Sequence, residues 1–507
     1  MDNYLELSRA SDLTKRGDYV FYRFLEILPG ALSIATLLLA VVLSFFRPMW
    51  VAIFIFLFDL FWTLQVGYLA VYQVVCFCRM RRYLKTDWTE RLKKVPNSRH
   101  IYHLIILPMV REDWAVVKDT LECLKNTEYP KENMIVVLAQ EERVKEHAQK
   151  IAQLAKEHYG QAFGDFLVTL HPSDTVGEVI GKGSNAAFAG GEAKKLLDRK
   201  GIPYDKVIVS TFDIDTKVFP HYLSCVTYNF LTCSRPHRSS FQPIPIYHNN
   251  VWEAPAFTRV IASSNSFWQM MQQERPEQLV TYSSHSMPAT VFYEVGYPKN
   301  VVSDDSRIFW KAFLKYDGDY RVVPLYYPVS MDVLVAESFW KTCVNQYKQQ
   351  RRWAWGCIEI PYFLFGFWKN RKISWRKKVF STIVALEGFW AWACASILIL
   401  VLGWLPLLLG GNDFKASVLS YNLPRLTSVI MGFAMVGIFI SAFTGVLFLP
   451  ARPKGVSRFR YFSLFLQWLL LPITLIVFGS IPAIEAQVRL MLGKYMGFWV
   501  TPKIRKN

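Results

Sequence analysis

The sequence lacks the cysteine and histidine patterns that hold structural zinc. Its eight cysteines include no Cys-x-x-Cys pair accompanied by histidines at the spacing of a zinc site. We therefore expect reduced thiols that fill small spaces in a core. This absence argues against a metal-stabilised or disulfide-stapled domain.

Four other absences narrow the structural classes to which the chain can belong. The chain has no internal repeat and no low-complexity linker, which argues against a repeat array. No small-residue cleavage site follows the first apolar run, which ends Ser44-Phe45-Phe46-Arg47-Pro48, so we expect an anchor and not a cleaved signal peptide. The run Gly181-Lys182-Gly183-Ser184-Asn185 lacks the Gly-x-x-x-x-Gly-Lys frame of a Walker loop.

Hydrophobic residues are abundant and lie mainly in long runs near the two ends of the chain. The 507 residues are 52% hydrophobic and 16% aromatic, and the mean hydropathy is positive. A hydrocarbon core of about 30 Å needs roughly 20 helical residues. Runs of that kind are Ile27 to Phe46, Trp50 to Cys78, Gly388 to Gly410, Ser428 to Leu449 and Tyr461 to Ile484. We predict a membrane region at 1–85 with two transmembrane helices, a cytosolic domain at 86–356, and interfacial helices with about three spans at 357–507.

The net charge of +18 comes largely from basic clusters that border the apolar runs. Arg79 to Lys85 follow the second run and Lys369 to Lys378 precede the third, so both ends of the polar domain should face the cytosol. Anionic headgroups attract such residues at about 1 kcal/mol each, which explains the charge better than nucleic acid does. A full crossing by the last run would place the basic tail outside. Pro472 and Pro482 could bend that run instead, so we predict four crossings and leave the fifth open.

The polar domain alternates short strands with helices. Strand patterns are His103 to Pro108, Asn133 to Ala139, Phe166 to Leu170 and Val207 to Ser210; helical patterns are Asp113 to Leu124, Glu142 to His158 and Asn185 to Leu197. This alternation predicts a parallel sheet covered on both faces. Ligands bind such sheets at the carboxyl ends of the strands. Pro108 to Glu112, Gln140 to Glu142 and Asp213 to Asp215 follow three strands and should converge on one crevice.

Two acidic clusters lie about ninety residues apart in the polar domain. Asp213 and Asp215 flank one residue after a strand, so both side chains can share a divalent ion with a diphosphate. The adjacent Asp304 and Asp305 tend to keep one pKa raised, as a general base requires. The simpler alternatives are a solvated turn for the first pair and, for the second, an N-cap from Ser303 or Asp304. A cap at Asp304 would still allow Asp305 to point into the crevice.

A cationic and aromatic cluster follows at Gln349-Gln350-Arg351-Arg352-Trp353. Its arginines can bind phosphate oxygens with forked geometry, and Trp353 offers an apolar face to a sugar ring. The alternative is an amphipathic helix on the membrane with Trp353 and Trp355 at the interface. His285 fits loop packing better than catalysis. Together the clusters supply a cation site, a base and an acceptor platform, which transfer of a sugar from a nucleotide diphosphate to a hydroxyl requires.

Taken in order, the motifs resemble those of the membrane-embedded family 2 glycosyltransferases, the group of cellulose, chitin and hyaluronan synthases. The motifs are Pro108-Met109-Val110-Arg111-Glu112, Gly181-Lys182-Gly183-Ser184-Asn185, Asp213-Ile214-Asp215, Asp304-Asp305 and Gln349-x-x-Arg352-Trp353. The resemblance covers about residues 100–356 and the flanking runs. It implies an α/β GT-A (Rossmann-like) cytosolic domain inserted between transmembrane helices, inversion at the anomeric carbon, and Mg²⁺ or Mn²⁺ as cofactor.

The resemblance also implies a role for each matching residue. Pro108, Met109 and Glu112 would line the base and ribose pocket; Lys182 would approach the diphosphate; Asp213 would contact the nucleotide and, with Asp215, the metal; Asp305 would be the base; Gln349, Arg352 and Trp353 would hold the diphosphate and the acceptor sugar. Two positions depart from the family pattern. Glu141 is the proposed stand-in for an aspartate usually found after the second strand, and the usual Glu-Asp pair is Asp304-Asp305, which keeps the base and shortens its neighbour.

The implied protein is a multi-pass protein of the plasma (inner) membrane. Its partners would be a nucleotide-sugar donor, a saccharide or glycolipid acceptor and membrane lipids, with UDP-sugars as the expected donors. Polysaccharide synthesis by repeated addition stays open, as does the need for partner subunits. Two alternatives also stay open: transfer of a single sugar to a lipid phosphate carrier, and a non-catalytic nucleotide-sugar-binding subunit. The Gln-x-x-Arg-Trp segment favours a saccharide acceptor, and the retained acidic residues favour turnover.

Overall fold

The computed structural model describes residues 4–457, 459–497 and 499. Its N-terminal region consists of two long helices. Two short 3-10 turns, Tyr4–Glu6 and Ala10–Asp12, lead into α1 Arg16–Phe46 and α2 Pro48–Leu84. Both helices are long and apolar enough to cross a membrane. Pro48 begins α2, where the missing N–H would have had no helical partner. The two predicted apolar runs are therefore helical.

A mixed sheet of eight strands lies at the centre of the polar domain, in the order β3-β2-β1-β4-β7-β6-β8-β5. The strands are β1 Tyr102–Pro108, β2 Met134–Glu141, β3 Asp165–His171, β4 Val207–Thr211, β5 Lys217–Val218, β6 Ser239–Ile246, β7 Ser286–Pro288 and β8 Arg321–Ser330. The first four are the predicted strands, and they pair in parallel as predicted.

The other half of the sheet departs from the predicted parallel arrangement. β7 is antiparallel to β4 and to β6, β6 is parallel to β8, and β5 is antiparallel to β8. Its strand patterns are weak because β5 and β7 are very short and prolines interrupt β6 and β8. The pairing of β6 with β8 shifts register between Gln242 and Ile244, as expected where prolines remove ladder hydrogen bonds.

Helices cover both faces of the sheet, as predicted. They are α3 Trp88–Lys93, α4 Trp114–Lys125, α5 Lys145–Tyr159, α6 Lys182–Lys200, α7 Tyr222–Thr232, α8 Ala256–Gln273, α9 Ala289–Val295, α10 Asp304–Lys315, α11 Phe339–Ala354 and α12 Glu359–Lys369. Leu104 and Ile106 of β1 belong to a core closed by α6, α9, α10 and α12. Ile105 and Leu107 belong to a second core, closed by α4, α5 and α7. Because side chains alternate between the two faces of the sheet, they contribute to two separate cores. The parallel pairing of β1 with β2 and β4 places the carboxyl ends of these strands along one edge of the sheet.

The C-terminal region adds three more helices that are long and apolar enough to cross a membrane. Its elements are α13 Trp375–Leu400, α14 Leu405–Leu409, α15 Asn412–Lys415, α16 Val418–Leu447, α17 Phe459–Leu466, α18 Leu471–Thr474 and α19 Ile481–Met491. The stretch Phe459–Met491, which we call the final segment, changes from α-helix to a 3-10 turn and a π turn between α17 and α19. Pro472 and Pro482 lie near the starts of α18 and α19, a position in which proline is tolerated at the beginning of a helix.

Contacts at opposite ends of the membrane helices define two ends of the helical bundle. At one end, Lys369 pairs with Asp18 near the start of α1, and Phe77 near the end of α2 meets Phe448 just after α16. At the other end, Ala52 at the start of α2 packs against Phe414 and Leu423. Helices α1, α2, α13 and α16 therefore run alternately away from and back toward the polar domain.

Candidate functional site

Lys182, the first residue of α6, joins the two acidic clusters that lie far apart in the sequence. Its Nζ lies 2.9 Å from Asp213 Oδ1 and 2.8 Å from Asp305 Oδ1. Burial lowers the pKa of the Lys182 ammonium, but the charges of Asp213, Asp305 and Asp304 outweigh that effect, so the net shift is upward. Lys182 is therefore a firmly charged cation between carboxylates from the end of β4 and the start of α10.

Gly183 allows α6 and α10 to approach closely enough for this contact. A Cβ at position 183 would lie 2.5 Å from the Pro298 carbonyl oxygen and 2.8 Å from Asp304 Cβ. Either distance is shorter than real Cβ contacts, so a larger residue would push the two helix starts apart. The glycine thus has a packing role at the site, in addition to its place in the motif.

Asp304 and Asp305 differ in their surroundings. Asp304 is 3% exposed, and its Oδ2 accepts a hydrogen bond of 3.1 Å from the Tyr297 hydroxyl. Burial raises the pKa of Asp304 well above its ordinary value, and the charge of Asp305 raises it further. The expectation that one carboxyl of the pair has a raised pKa is met at Asp304, while Asp305 reaches Lys182. Ser303 occupies the N-cap position, as the N-cap alternative has it, but its hydroxyl donates to Glu359 and forms no side-chain cap hydrogen bond.

Asp213 and Asp215 contact different partners. Asp213 Oδ2 accepts a hydrogen bond of 2.6 Å from the Ser283 hydroxyl, whereas Asp215 Oδ2 accepts one of 3.0 Å from the Asp332 backbone N–H. Asn249 Nδ2 donates to the Asp215 carbonyl at 2.9 Å and to Asp332 Oδ1 at 2.8 Å. Asp332 and Asn249, which sequence reasoning missed, therefore orient the second aspartate. They follow the proline-interrupted strands β8 and β6, where no strand pattern pointed to them.

The side chains at this edge fit a hard divalent cation by their chemistry, because carboxylate oxygens are the ligands that Mg²⁺ and Mn²⁺ prefer. Within the described residues, one group of three side chains has ligand atoms within 4.8 Å of one another, and it is Asp87, Glu128 and His221. Asp213 and Asp215 do not form such a group with a third side chain in that part of the chain. They could hold an ion together with diphosphate oxygens and water, the usual arrangement for Mg²⁺.

The residues after β1 and β2 lie at the same edge of the sheet. Pro108 pairs with Ala139 across these strands, and the Met109 N–H donates to the Ala139 carbonyl at 2.9 Å. Met109 is 1% exposed and its side chain packs in the core beneath α4. Glu112 Oε2 accepts a hydrogen bond of 2.7 Å from the Val110 N–H, which folds the loop back on itself. The structure thus places Pro108 and Glu112 at the strand ends and Met109 largely inside the core.

Glu141 ends β2 in a buried, partly compensated position. Its Oε2 pairs with Arg143, and its Oε1 has no hydrogen-bond partner. Burial raises its pKa, Arg143 and His171 oppose that shift, and the charge of Glu112 adds to it. Glu141 and Glu112 are therefore near enough to act on each other. A buried carboxylate oxygen without a partner is the kind of group that a ligand hydroxyl satisfies.

The end of α11 carries Gln349, Arg352 and Trp353. The electrostatics of Tyr247 connect Arg352 with the acidic site. Burial raises the pKa of the Tyr247 phenol, the charges of Asp213 and Asp215 raise it further, and the charge of Arg352 lowers it. The charges of the two aspartates and of Arg352 therefore all act on one ring. Gln349 Oε1 accepts a hydrogen bond of 3.1 Å from Gln346, and Trp353 is half-buried.

Trp355 tests the alternative of a helix lying on the membrane surface. It is 1% exposed and packs in one core with Val302, Ala483 and Ala486. The interface position expected for Trp355 is therefore wrong, since the ring lies inside the protein. The end of α11 is fixed between the loop before α10 and the final segment.

His285 is buried next to the site in a neutral form. Its Nδ1 lies 2.9 Å from the Tyr282 carbonyl and 3.9 Å from Asp305 Oδ1. Burial lowers its pKa to about 4, so the ring carries no charge at neutral pH. The contact of Nδ1 with a backbone carbonyl agrees with the packing interpretation. The ring also lies beside Asp305.

No protein-family model matches the chain, and no curated protein matches it. Among solved structures, it is similar to the mannosyltransferase PcManGT from Pyrobaculum calidifontis in complex with GDP-Man and Mn²⁺, at 14% identity and a TM-score of 0.38, over 74% of this chain and 98% of that one. It is also similar to S. aureus TarS 1-349 in complex with UDP-GlcNAc, at 12% identity and a TM-score of 0.38, over 78% of this chain and 93% of that one. At such scores the similarity by itself establishes neither a shared fold nor a shared activity.

Proposed function

We propose that this chain is an inverting glycosyltransferase that moves a sugar from a nucleotide-diphosphate sugar, with a UDP-sugar as the expected donor, to a saccharide hydroxyl at the cytosolic face of a membrane. The observation that carries the proposal is the double contact of Lys182 with Asp213 and Asp305. It brings a cation for phosphate, a candidate metal ligand and a candidate base within one side chain of each other. Helices that are long and apolar enough to cross a membrane support the location.

Asp305 is the proposed general base. It takes the proton of the acceptor hydroxyl while that oxygen attacks the anomeric carbon. The bond from that carbon to the diphosphate oxygen breaks, and its electron pair leaves with the nucleoside diphosphate. Attack opposite the leaving group inverts the configuration, and the proton ends on Asp305. A positioned base of this kind contributes about 10²- to 10⁴-fold to rate.

The cationic side chains are proposed to bind the departing diphosphate. Lys182 turns from the two aspartates to the phosphate oxygens, which frees Asp305 to accept a proton. Arg352 of α11, whose charge acts on the same tyrosine as those of Asp213 and Asp215, would supply a planar fork suited to phosphate. A Mg²⁺ or Mn²⁺ ion held by Asp213 and Asp215 would offset the negative charge that develops on the leaving group.

The remaining predicted residues complete the donor and acceptor sites. Pro108 and Glu112 line the base and ribose side of the donor, with Glu141 as a hydrogen-bond acceptor. The Met109 side chain supports that wall from the core. Gln349 and Trp353 hold the acceptor sugar beside Asp305 and His285.

Replacement of Asp305 tests the assignment of the base. Asp305→Asn should bind UDP with parental affinity and lose transfer by about 10²-fold or more, because the amide cannot accept the proton. Asp319→Asn, at an exposed aspartate that pairs with Arg235, is the matched control and should retain parental transfer. Transfer by Asp305→Asn at the parental rate would show that another group is the base.

Product analysis separates the proposal from its alternatives. Extension of a saccharide acceptor, by one sugar or many, supports the proposed acceptor class. Sugar found only on a lipid phosphate would favour the lipid-carrier transferase. Nucleotide binding without release of nucleoside diphosphate, in the presence of both acceptor types, would favour the non-catalytic subunit.

A further inference from the structure

Three polar groups converge on Glu485, a carboxylate of the final segment. Arg351 NH1 lies 2.6 Å from Glu485 Oε1, Tyr347 OH donates to Oε2 at 2.8 Å, and Arg489 Nε lies 2.7 Å from Oε1. Tyr347 and Arg351 are four residues apart and lie on one face of α11. The carboxylate thus holds two successive turns of the helix that carries the Gln-x-x-Arg-Trp motif. Arg489 lies on the same helix as Glu485 and does not connect it to α11.

The contact with Glu485 fixes the direction in which the next residue of α11 points. Consecutive helical residues project about 100° apart, so an Arg351 that faces the final segment directs Arg352 to another side. The charge of Arg352 acts on the Tyr247 ring, as do those of Asp213 and Asp215, so Arg352 lies within electrostatic range of the same ring as the two aspartates. The two adjacent arginines are therefore divided between two tasks. Arg351 binds the membrane-associated segment, and Arg352 faces the acidic site.

Further contacts hold α11 at both of its ends. Phe339 at the start of α11 packs edge-on against Phe257, whose ring stacks on Phe478 of the final segment at 5.2 Å. Trp355, just after α11, is buried with Ala483 and Ala486. These apolar contacts place the helix against the final segment at both of its ends. The polar contacts with Glu485 fix its rotation about its own axis.

We propose that Glu485 is a positioning residue for sugar transfer, which orients α11 so that Arg352 and not Arg351 meets the donor diphosphate. This inference rests on the proposed function. Both Arg351 and Glu485 are about one quarter exposed, so the pair is partly buried and its loss should lower stability as well as transfer. The charge-exchange variant described below separates the two effects.

The test compares steady-state transfer and UDP binding for variants of purified full-length protein. Glu485→Ala should lower kcat by about tenfold to 100-fold, the loss that a misplacement of about 1 Å can cause. Its UDP affinity should fall together with kcat, because a displaced Arg352 no longer meets the diphosphate, and its unfolding temperature is measured alongside to separate loss of this contact from loss of folding. Glu485→Gln, which keeps a partner for Tyr347, should lose less activity. Arg489→Ala is the matched control and should retain parental kcat, since Glu485 keeps both of its contacts with α11.

An exchange of charges makes the test independent of a folding defect. Arg351→Glu alone should impair transfer, and the double variant Arg351→Glu with Glu485→Arg should recover at least about fivefold relative to it, because opposite charges face each other again. Parental kcat in Glu485→Ala, or an exchange variant no more active than Arg351→Glu, would overturn the positioning role alone. Failure of the parental protein to transfer sugar from any donor would instead overturn the proposed function and, with it, this inference.

Discussion

The site is organised around a single ammonium group among three carboxylates. Lys182 contacts Asp213 and Asp305 directly, and the charge of Asp304 also acts on it. The raised pKa of Asp304 and its hydrogen bond from Tyr297 reduce the repulsion among the three acids. Lys182 lies between a candidate metal ligand and the candidate base. Donor phosphates would compete with both aspartates for it.

Removal of the Lys182 charge should weaken nucleotide binding. Lys182→Met keeps the length of the side chain but leaves Asp213 and Asp305 without their cation, so we expect UDP affinity to fall by about tenfold or more, in the range of a lost charge-assisted hydrogen bond. Isothermal titration with UDP measures this. Lys195→Met, at an exposed lysine paired only with Glu192 among the described contacts, serves as the control. Parental affinity in Lys182→Met would contradict the role of Lys182 at the diphosphate.

His103 should make the stability of the fold sensitive to acid. It is buried on β1 with one ring nitrogen 2.8 Å from Thr227 Oγ1, and burial lowers its pKa to about 3. In the unfolded chain this ring takes up a proton at about pH 6.5. Below that pH the unfolded state binds more protons, so the stability contributed by His103 decreases at about 1.4 kcal/mol per pH unit down to the folded pKa.

A neutral replacement removes this dependence on pH. The unfolding temperature of His103→Gln, compared with that of the parental protein, should rise as the pH is lowered from about 7.5 to about 5. Thermal unfolding in detergent at the two pH values measures the difference. A difference that does not change with pH would contradict a neutral, buried His103.

At the scale of elements, the start of α10 is held by parts of the chain that lie far away in the sequence. Glu359 of α12 accepts hydrogen bonds from Ser303 at 2.5 Å and from Arg307 Nε at 2.6 Å. Arg307 NH1 also donates to the Leu7 carbonyl at 2.7 Å, so the N-terminal segment packs on the same helix. The pair Arg307 and Glu359 is buried, and Arg307 lies two residues after the candidate base on α10. It therefore fixes the position of Asp305 from behind.

Replacing one partner of this buried pair should lower the free energy of unfolding more than is expected from replacing both. Arg307→Met or Glu359→Leu leaves one buried group without its partner and should destabilise the fold by about 3–5 kcal/mol, whereas the double variant Arg307→Met with Glu359→Leu should destabilise it by less than the sum of the two single changes. Denaturant titration in detergent measures the cycle. Additive costs would show that the two side chains do not act as a pair.

The first half of the sheet could be predicted from the sequence, and the second half could not. Runs such as Met134–Leu138 and Val207–Val209 are continuous and apolar, which is typical of buried parallel strands. In β6 and β8, prolines interrupt the pattern, and their pairing depends on contacts between distant parts of the chain. For the same reason Asn249 and Asp332, which follow those strands, were missed, whereas Lys182, Asp213 and Asp305 stand next to clear element boundaries.

At the scale of the whole molecule, the final segment contacts the polar domain along most of its length. Tyr461 meets Trp252, Gln467 Oε1 accepts from Arg259 Nε at 2.7 Å, and Glu485 binds α11 near the other end. Between these points, Ser480 Oγ lies 2.7 Å from Ser396 Oγ, near the distal end of α13. Because both ends of the final segment contact the polar domain, we expect it to bend between Pro472 and Pro482 and not to cross the membrane fully. The fifth span that the sequence left open would then be re-entrant.

A re-entrant final segment places the C-terminus on the side of the polar domain. A reporter fused after the last residue should be active on the cytosolic side, in agreement with the excess of basic residues there. A reporter inserted after Gly411, between α14 and α15, should be active on the opposite side and serves as the control. Reporter activity of both fusions on the same side would show that the final segment crosses fully or that the helical pairs are oriented differently.

The central claim is that the residues around Lys182 cleave a nucleotide sugar and transfer its sugar. Release of nucleoside diphosphate by detergent-purified protein, with Mn²⁺ and over a panel of UDP- and GDP-sugars with saccharide acceptors, tests this most directly. We expect release with one donor, matched by incorporation of the same sugar into an extended saccharide and lost in Asp305→Asn. Binding of nucleotide without release from any donor on the panel would contradict a catalytic role and favour a subunit that only binds nucleotide sugars.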